Sequence, residues 1–181
     1  ISSGAGSSSP GRLCVWNDLL FFVATQFSSA RELWITVGTS GGTKLVKDIN
    51  PGGSSASDPN NLTPAGDQLF FSATVNGAGR ELWKTDGTEA GTIMVRDINP
   101  GSGNGVTDLP FQILGDLLIF AANDGINGIE LWISDGTEPG TQLLKNIGPG
   151  ASNSLVRYLG RLDDKLFYAA DGGSGTELWI T

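Results

Sequence analysis

The tripeptide Glu-Leu-Trp occurs four times, at Glu32-Leu33-Trp34, Glu81-Leu82-Trp83, Glu130-Leu131-Trp132 and Glu177-Leu178-Trp179. The tryptophans are spaced 49, 49 and 47 residues apart. Such even recurrence of a rare tripeptide marks a tandem repeat, and a period near 50 residues suits propeller blades. The flanks recur as well. An acidic turn opens an apolar run before each tripeptide, at Asp18–Phe22, Asp67–Phe71, Asp116–Phe120 and Asp164–Tyr168. After it come Asp86-Gly87-Thr88 and Asp135-Gly136-Thr137, then a Gly-Thr pair at Gly42-Thr43, Gly91-Thr92 and Gly140-Thr141. Lys44–Ile49, Ile93–Ile98 and Gln142–Ile147 follow, each running on into Pro-Gly.

One unit therefore reads as four short strands. The first is a weak segment such as Asn61–Ala65 or Phe111–Leu114, and the second is the aromatic run, dense enough to be buried on both faces. The third carries Glu-Leu-Trp, where strand alternation sets Glu81 and Trp83 on one face and Leu82 on the other. The fourth is the segment from Lys44 to Ile49 and its counterparts. Such a meander cannot bury both faces alone, and radial stacking against its neighbours gives an all-β propeller. The units fall at 12–59, 60–109, 110–157 and a partial 158–181, behind a Ser/Gly-rich linker at 1–11. Because Thr181 follows Trp179 so closely, the last unit lacks a fourth strand. Either a longer array continues it or a neighbouring chain completes the sheet by strand addition. An uncovered edge invites association.

Composition narrows the functions. The 27 glycines and 8 prolines favour tight turns over helices. A net charge of −8 without a basic stripe argues against nucleic acid. No apolar run is long enough for a membrane span. The chain has no histidine and a single cysteine, Cys14, which removes the commonest general base and any internal disulfide. No nucleophile elbow or phosphate loop is present, so no catalytic residue is assigned.

The repeated residues carry two readings each. Trp34, Trp83, Trp132 and Trp179 are packing residues between sheets, or else platforms for stacking sugar rings. Glu32, Glu81, Glu130 and Glu177 accept amides from the next unit, pair with Arg31 and Arg80, or reach a ligand. The binding candidates are Glu81, Trp83, Glu130 and Trp132. Asp86 and Asp135 are turn formers. A calcium reading rests on Asp124 with Asn127, and on Asp171, whose loops offer oxygen ligands. Otherwise no cofactor is implied.

The stretch Glu81-Leu-Trp-Lys-Thr-Asp-Gly-Thr88, repeated at Glu130–Thr137, resembles the bacterial ELWxxDGT repeat family, over residues 12 to 181. Val37-Gly38-Thr39 departs from it, with Val37 in place of the Asp. The resemblance implies a secreted or cell-surface propeller module. Its expected role is non-catalytic: protein binding, adhesion or assembly. The alternative is a lectin with sites between blades.

Overall fold

In a computed structural model, which describes residues 7–26, 30–52 and 55–181, the chain forms four antiparallel sheets. The first holds β1 (Gly11–Trp16), β2 (Leu19–Gln26), β3 (Ala30–Thr36) and β4 (Lys44–Lys47), paired in that order. The second repeats this with β5 (Asn60–Ala65), β6 (Gln68–Val75), β7 (Gly79–Thr85) and β8 (Ile93–Arg96). The third uses β9 (Gln112–Leu114), β10 (Leu117–Asn123), β11 (Ile129–Ser134) and β12 (Gln142–Lys145). The fourth has only β13 (Arg157–Leu162), β14 (Lys165–Asp171) and β15 (Thr176–Ile180). No helix occurs among the described residues, so none is long and apolar enough to cross a membrane. The expected linker falls partly outside the described residues, and Gly11 already begins β1.

Short turns make each meander. Asn17 and Asp18 both take positive φ, at 49° and 57°, which is the geometry of a two-residue hairpin following the strand twist. The fourth strands are shorter than expected and end at Lys47, Arg96 and Lys145. Ile49, Ile98 and Ile147 leave the ladder because their amides turn to a different acceptor, described below. A bulge recurs where the third and fourth strands pair. Leu33 faces Lys47 while Trp34 faces Leu45, leaving Val46 as the extra residue, and the same slip occurs at Leu82/Trp83 and Leu131/Trp132.

The sheets stack face to face with a consistent polarity. Leu33, Phe21 and Ile35 of the first sheet share a core with Trp83, Phe71 and Leu69 of the second. Leu82 and Phe70 of the second pack with Trp132, Phe120 and Leu118 of the third. Leu131 and Ile119 of the third meet Tyr168, Leu166 and Trp179 of the fourth. Each sheet thus offers a leucine face forward and a tryptophan face backward. The aromatic second strands are buried on both faces, as their composition requires, since Phe21 and Phe22 point to opposite sides and both are enclosed. Among the described residues no core cluster joins the fourth sheet to the first, and Trp34, Phe22 and Ala24 group with residues of their own sheet.

Repetition turns burial into a controlled comparison. Leu82 is 0% exposed and Leu178, its counterpart in the fourth sheet, is 61% exposed. Leu82→Ala is expected to cost about 2–5 kcal/mol, because it loses transfer energy and leaves a cavity. Leu178→Ala is expected to change stability by roughly 0.5 kcal/mol or less. Urea unfolding of the two variants checks the difference.

Candidate functional site

Each buried glutamate of Glu-Leu-Trp holds the chain that leaves the fourth strand. Glu81 accepts the Ile98 amide on Oε2 at 2.8 Å and the Gly105 amide on Oε1 at 2.7 Å. Glu130 accepts the amides of Ile147 at 2.8 Å and Gly148 at 2.9 Å. Glu32 takes the Ser57 amide at 2.9 Å, the Ser57 hydroxyl and, at a longer 3.4 Å, the Ile49 amide. The same linker then reaches forward. Ser57 O accepts the Thr74 amide and Gly105 O the Asn123 amide, so each linker is bonded to two successive sheets. A Cβ at Gly105 would collide with the Glu81 carboxylate, which is why glycine stands there.

Burial sets the electrostatics of these carboxyls. Desolvation pushes Glu81 up to about 7, only partly offset by the Ile98 and Gly105 amides, which favour its charged form. Burial also raises Glu32, against the Ser57 hydroxyl and amide. Neither Arg31 nor Arg80 pairs with a glutamate. Both arginines instead approach Asp58, at 3.7 and 3.6 Å, where Arg12 also binds at 2.6 Å.

The Asp-Gly-Thr turn is a closed hydrogen-bonded loop. Asp86 Oδ1 accepts the Thr88 amide at 2.8 Å and the Thr88 hydroxyl at 2.7 Å, and Thr88 Oγ1 in turn accepts the Gly91 amide at 2.9 Å. Thr85 and Thr92 hydroxyls meet across the loop at 2.7 Å. Asp135, Thr137, Ser134 and Thr141 repeat the arrangement. The Thr88 and Thr137 hydroxyls and amides lower the two aspartates from the ordinary carboxyl range. Gly87 and Gly136 have φ of +90° and +85° and press on the second strand of the preceding sheet. A Cβ at Gly136 would lie 2.6 Å from Gln68 Oε1 and 3.0 Å from Phe70. The turn therefore hooks one sheet over its predecessor.

Four residues read as binding candidates are enclosed. Glu81, Trp83, Glu130 and Trp132 are all buried, the carboxylates facing amides and the indoles facing the preceding sheet. They offer no surface for a sugar ring. Arg96 lies over the Trp132 ring, 5.7 Å from its centroid, which closes that site further. The calcium candidates are engaged in their own loops. Asp124 accepts the amides of Ile126 and Asn127 on Oδ1 and the Asn127 side-chain amide on Oδ2. Burial raises its carboxyl, but those amides outweigh it and hold it below the ordinary range. Asp171 Oδ1 accepts the amides of Gly173 and Gly175 in a separate loop. Among the described residues no group of three acidic, Cys or His side chains converges to hold a metal.

What stands open is the fourth sheet. Glu177 is exposed, Trp179 half-buried, and Leu178 and Ile180 lie at the surface. A cavity of about 430 Å³ lies beside Trp179, lined by Leu131, Ile133, Leu144, Ile147, Tyr168 and Ile180 among others. Tyr168 occupies the place held by Phe22, Phe71 and Phe120 in the other sheets, and its buried hydroxyl has no partner. Desolvation raises this phenol above its ordinary range. Sequence reasoning marked the missing strand, but Leu144 and Tyr168 carried no signal as individual residues.

No family model and no curated protein matches the chain. Among solved structures it is similar to the computationally designed Ika8 protein, at 19% identity and a TM-score of 0.49, over 98% of this chain and 48% of that one. The chain thus spans about half the length of that protein. A second likeness is to an alpha-L-arabinofuranosidase from Clostridium thermocellum, at 12% identity and a TM-score of 0.31, over 96% of this chain and 67% of that one. Both are too distant to carry function across.

Two outcomes are expected. In the first unit Val37 replaces the aspartate, yet Thr36, Thr39 and Thr43 keep the remaining bonds of the loop. Val37→Asp adds the missing acceptor for Thr39 and is expected to stabilise the chain by about 1 kcal/mol in chemical denaturation. The second concerns pH. A folded carboxyl raised from 4.5 to about 7 binds its proton more tightly than the unfolded one, so its contribution is complete below pH 4.5 and lost as pH rises through 7. Thermal melts are expected to fall across that window, and to fall less in Glu81→Gln, whose melting point is lower throughout because the two N–H groups address different carboxylate oxygens and the glutamine sets an NH2 donor against one of them.

Proposed function

We propose that the chain is a non-catalytic β-propeller-type array that binds protein and assembles through the open side of its fourth sheet. The observation that carries this reading is the contrast along the leucine face. Leu33 and Leu131 are 0% and 3% exposed where a following sheet covers them, whereas Leu178 and Ile180 are 61% and 56% exposed. Two large apolar residues presented side by side on an edge strand with one neighbour form the kind of surface that proteins use to associate. The stacking of four similar sheets with one polarity supports the propeller reading, because radial repetition covers both faces of every interior blade. The ELWxxDGT resemblance supports a secreted or cell-surface setting for such a module.

Sedimentation velocity over a micromolar to millimolar series tests the reading. The expected result is concentration-dependent association that Leu178→Lys with Ile180→Lys abolishes while the fold, followed by circular dichroism, is retained. A chain that sediments as a monomer throughout, and whose Leu178 surface retains no protein partner, overturns it.

A further inference from the structure

Three guanidinium groups gather around one carboxylate where the first two sheets meet. Arg12 of β1 donates through Nη1 to Asp58 Oδ1 at 2.6 Å and to Pro59 O at 2.8 Å. Arg31 of β3 brings Nε to 3.7 Å from the same carboxylate oxygen, and Arg80 of β7 brings Nη2 to 3.6 Å from Asp58 Oδ2. Those two separations are too long for hydrogen bonds. Arg80 is anchored instead through Nη1, on Asp58 O and the Ser72 hydroxyl, both at 3.1 Å. Arg31 Nε is buried and has no acceptor among the described residues. A second carboxylate, Asp108, stands 4.0 Å from Arg80 Nε and is 77% exposed, so water screens it. Three cations thus face two anions, one of them weakly coupled, in a chain whose net charge is −8.

The fold does not ask for these arginines. Arg31 O accepts the Asp58 amide and Arg80 O the Val106 amide, and in the third unit Ile129 O accepts the Ser154 amide without any charge nearby in sequence. Thr176 holds the same place in the fourth unit. Asn61, one unit on from Arg12, makes the equivalent link to Leu109 O with a neutral side chain. In native proteins a buried donor without an acceptor marks a place that water or an ion completes. Water satisfies such a donor, but only an anion also removes the surplus positive charge.

We propose that Arg31 and Arg80, framed by Arg12 and Asp58, bind a small oxyanion at the boundary of the first two sheets. A guanidinium presents paired N–H groups to two oxygens of one acceptor, so carboxylate, sulfate and phosphate share this chemistry. Both side chains keep a route to solvent, Arg31 at 34% exposed and Arg80 at 13%. The anion accepts from N–H groups that Asp58 approaches without bonding, while Arg12 holds the Asp58 carboxylate in place. Charge separates the sources. A single surplus positive charge matches a carboxylate, whereas a dianion meets added repulsion from Asp58 and Asp108. At the next boundary Ile129 stands where a second arginine would be needed, so the site does not recur with the repeat.

The probe is propionate, with sulfate as a second arm, titrated into the whole chain against chloride at matched ionic strength while the arginine Nε–H signals are followed by NMR. Saturable shifts of the Arg31 and Arg80 signals are expected with propionate, together with a melting point that rises with propionate and not with chloride. Arg31→Gln is expected to weaken binding at least fivefold. In chloride alone the same change is expected to leave the melting point unchanged or higher, because it removes a surplus charge and an unpaired donor. An arginine with a purely structural role gives the opposite, a lower melting point. Sulfate binding more tightly than propionate on the same two signals supports the site and assigns it to an inorganic oxyanion. Signals that follow ionic strength alone, shifts that Arg31→Gln leaves intact, or a melting point lowered by that change overturn the proposal. It stands apart from the assembly reading, which sedimentation tests separately.

Discussion

A buried carboxylate sits at the start of Glu-Leu-Trp in each of the first three sheets, and the order of the sheets depends on it. The glutamates of the first three units receive the amides of the chain as it leaves the fourth strand, and the same linker then bonds to the next sheet. Without an acceptor those amides would be buried and unpaired, at about 1–3 kcal/mol each. The carboxylate in turn would be an uncompensated buried charge without the amides. Each needs the other, so the path from sheet to sheet is tightly determined. The cost shows in Glu81, whose proton affinity is raised because the amides do not fully replace lost water.

Around this clamp the apolar faces give direction. The leucine side of one sheet mates with the tryptophan side of the next at three successive interfaces. The Asp-Gly-Thr hook adds a second link on the same boundary, reaching backward over the preceding second strand. Packing is favoured strongly enough that the indole N–H groups of Trp34, Trp83 and Trp132 are buried with no partner, whereas Trp179, lacking a fourth strand beside it, donates to Ala170 O at 3.2 Å. Heterologous faces of this kind either close into a ring or continue. On the fourth sheet the leucine face stands uncovered by any described sheet.

Much of this was legible from spacing alone. The period, the strand order and the turn role of Asp86 and Asp135 follow from residues whose requirements are local: alternation along a strand, glycine at positive φ, an aspartate two residues before an amide. The glutamates were harder. Their position in the tripeptide left amides, arginine partners and a ligand all open; Arg31 and Arg80 turn to Asp58, and the carboxylates turn inward to amides seventeen or more residues away. Backbone donors leave no trace in side-chain identity. The calcium reading failed to gain a ligand set for a related reason, since Asp124 is occupied by its own loop.

The sequence by itself determined that this is a repeat of short strands, because period, turn residues and alternation are properties of neighbouring positions. Which face of each sheet meets which was decided only by tertiary structure. So were the burial of the repeated tryptophans and glutamates and the exposure of Leu144, Leu178 and Glu177. Those outcomes depend on what lies across a boundary nearly fifty residues away, and identical tripeptides become core or surface according to whether that neighbour is present.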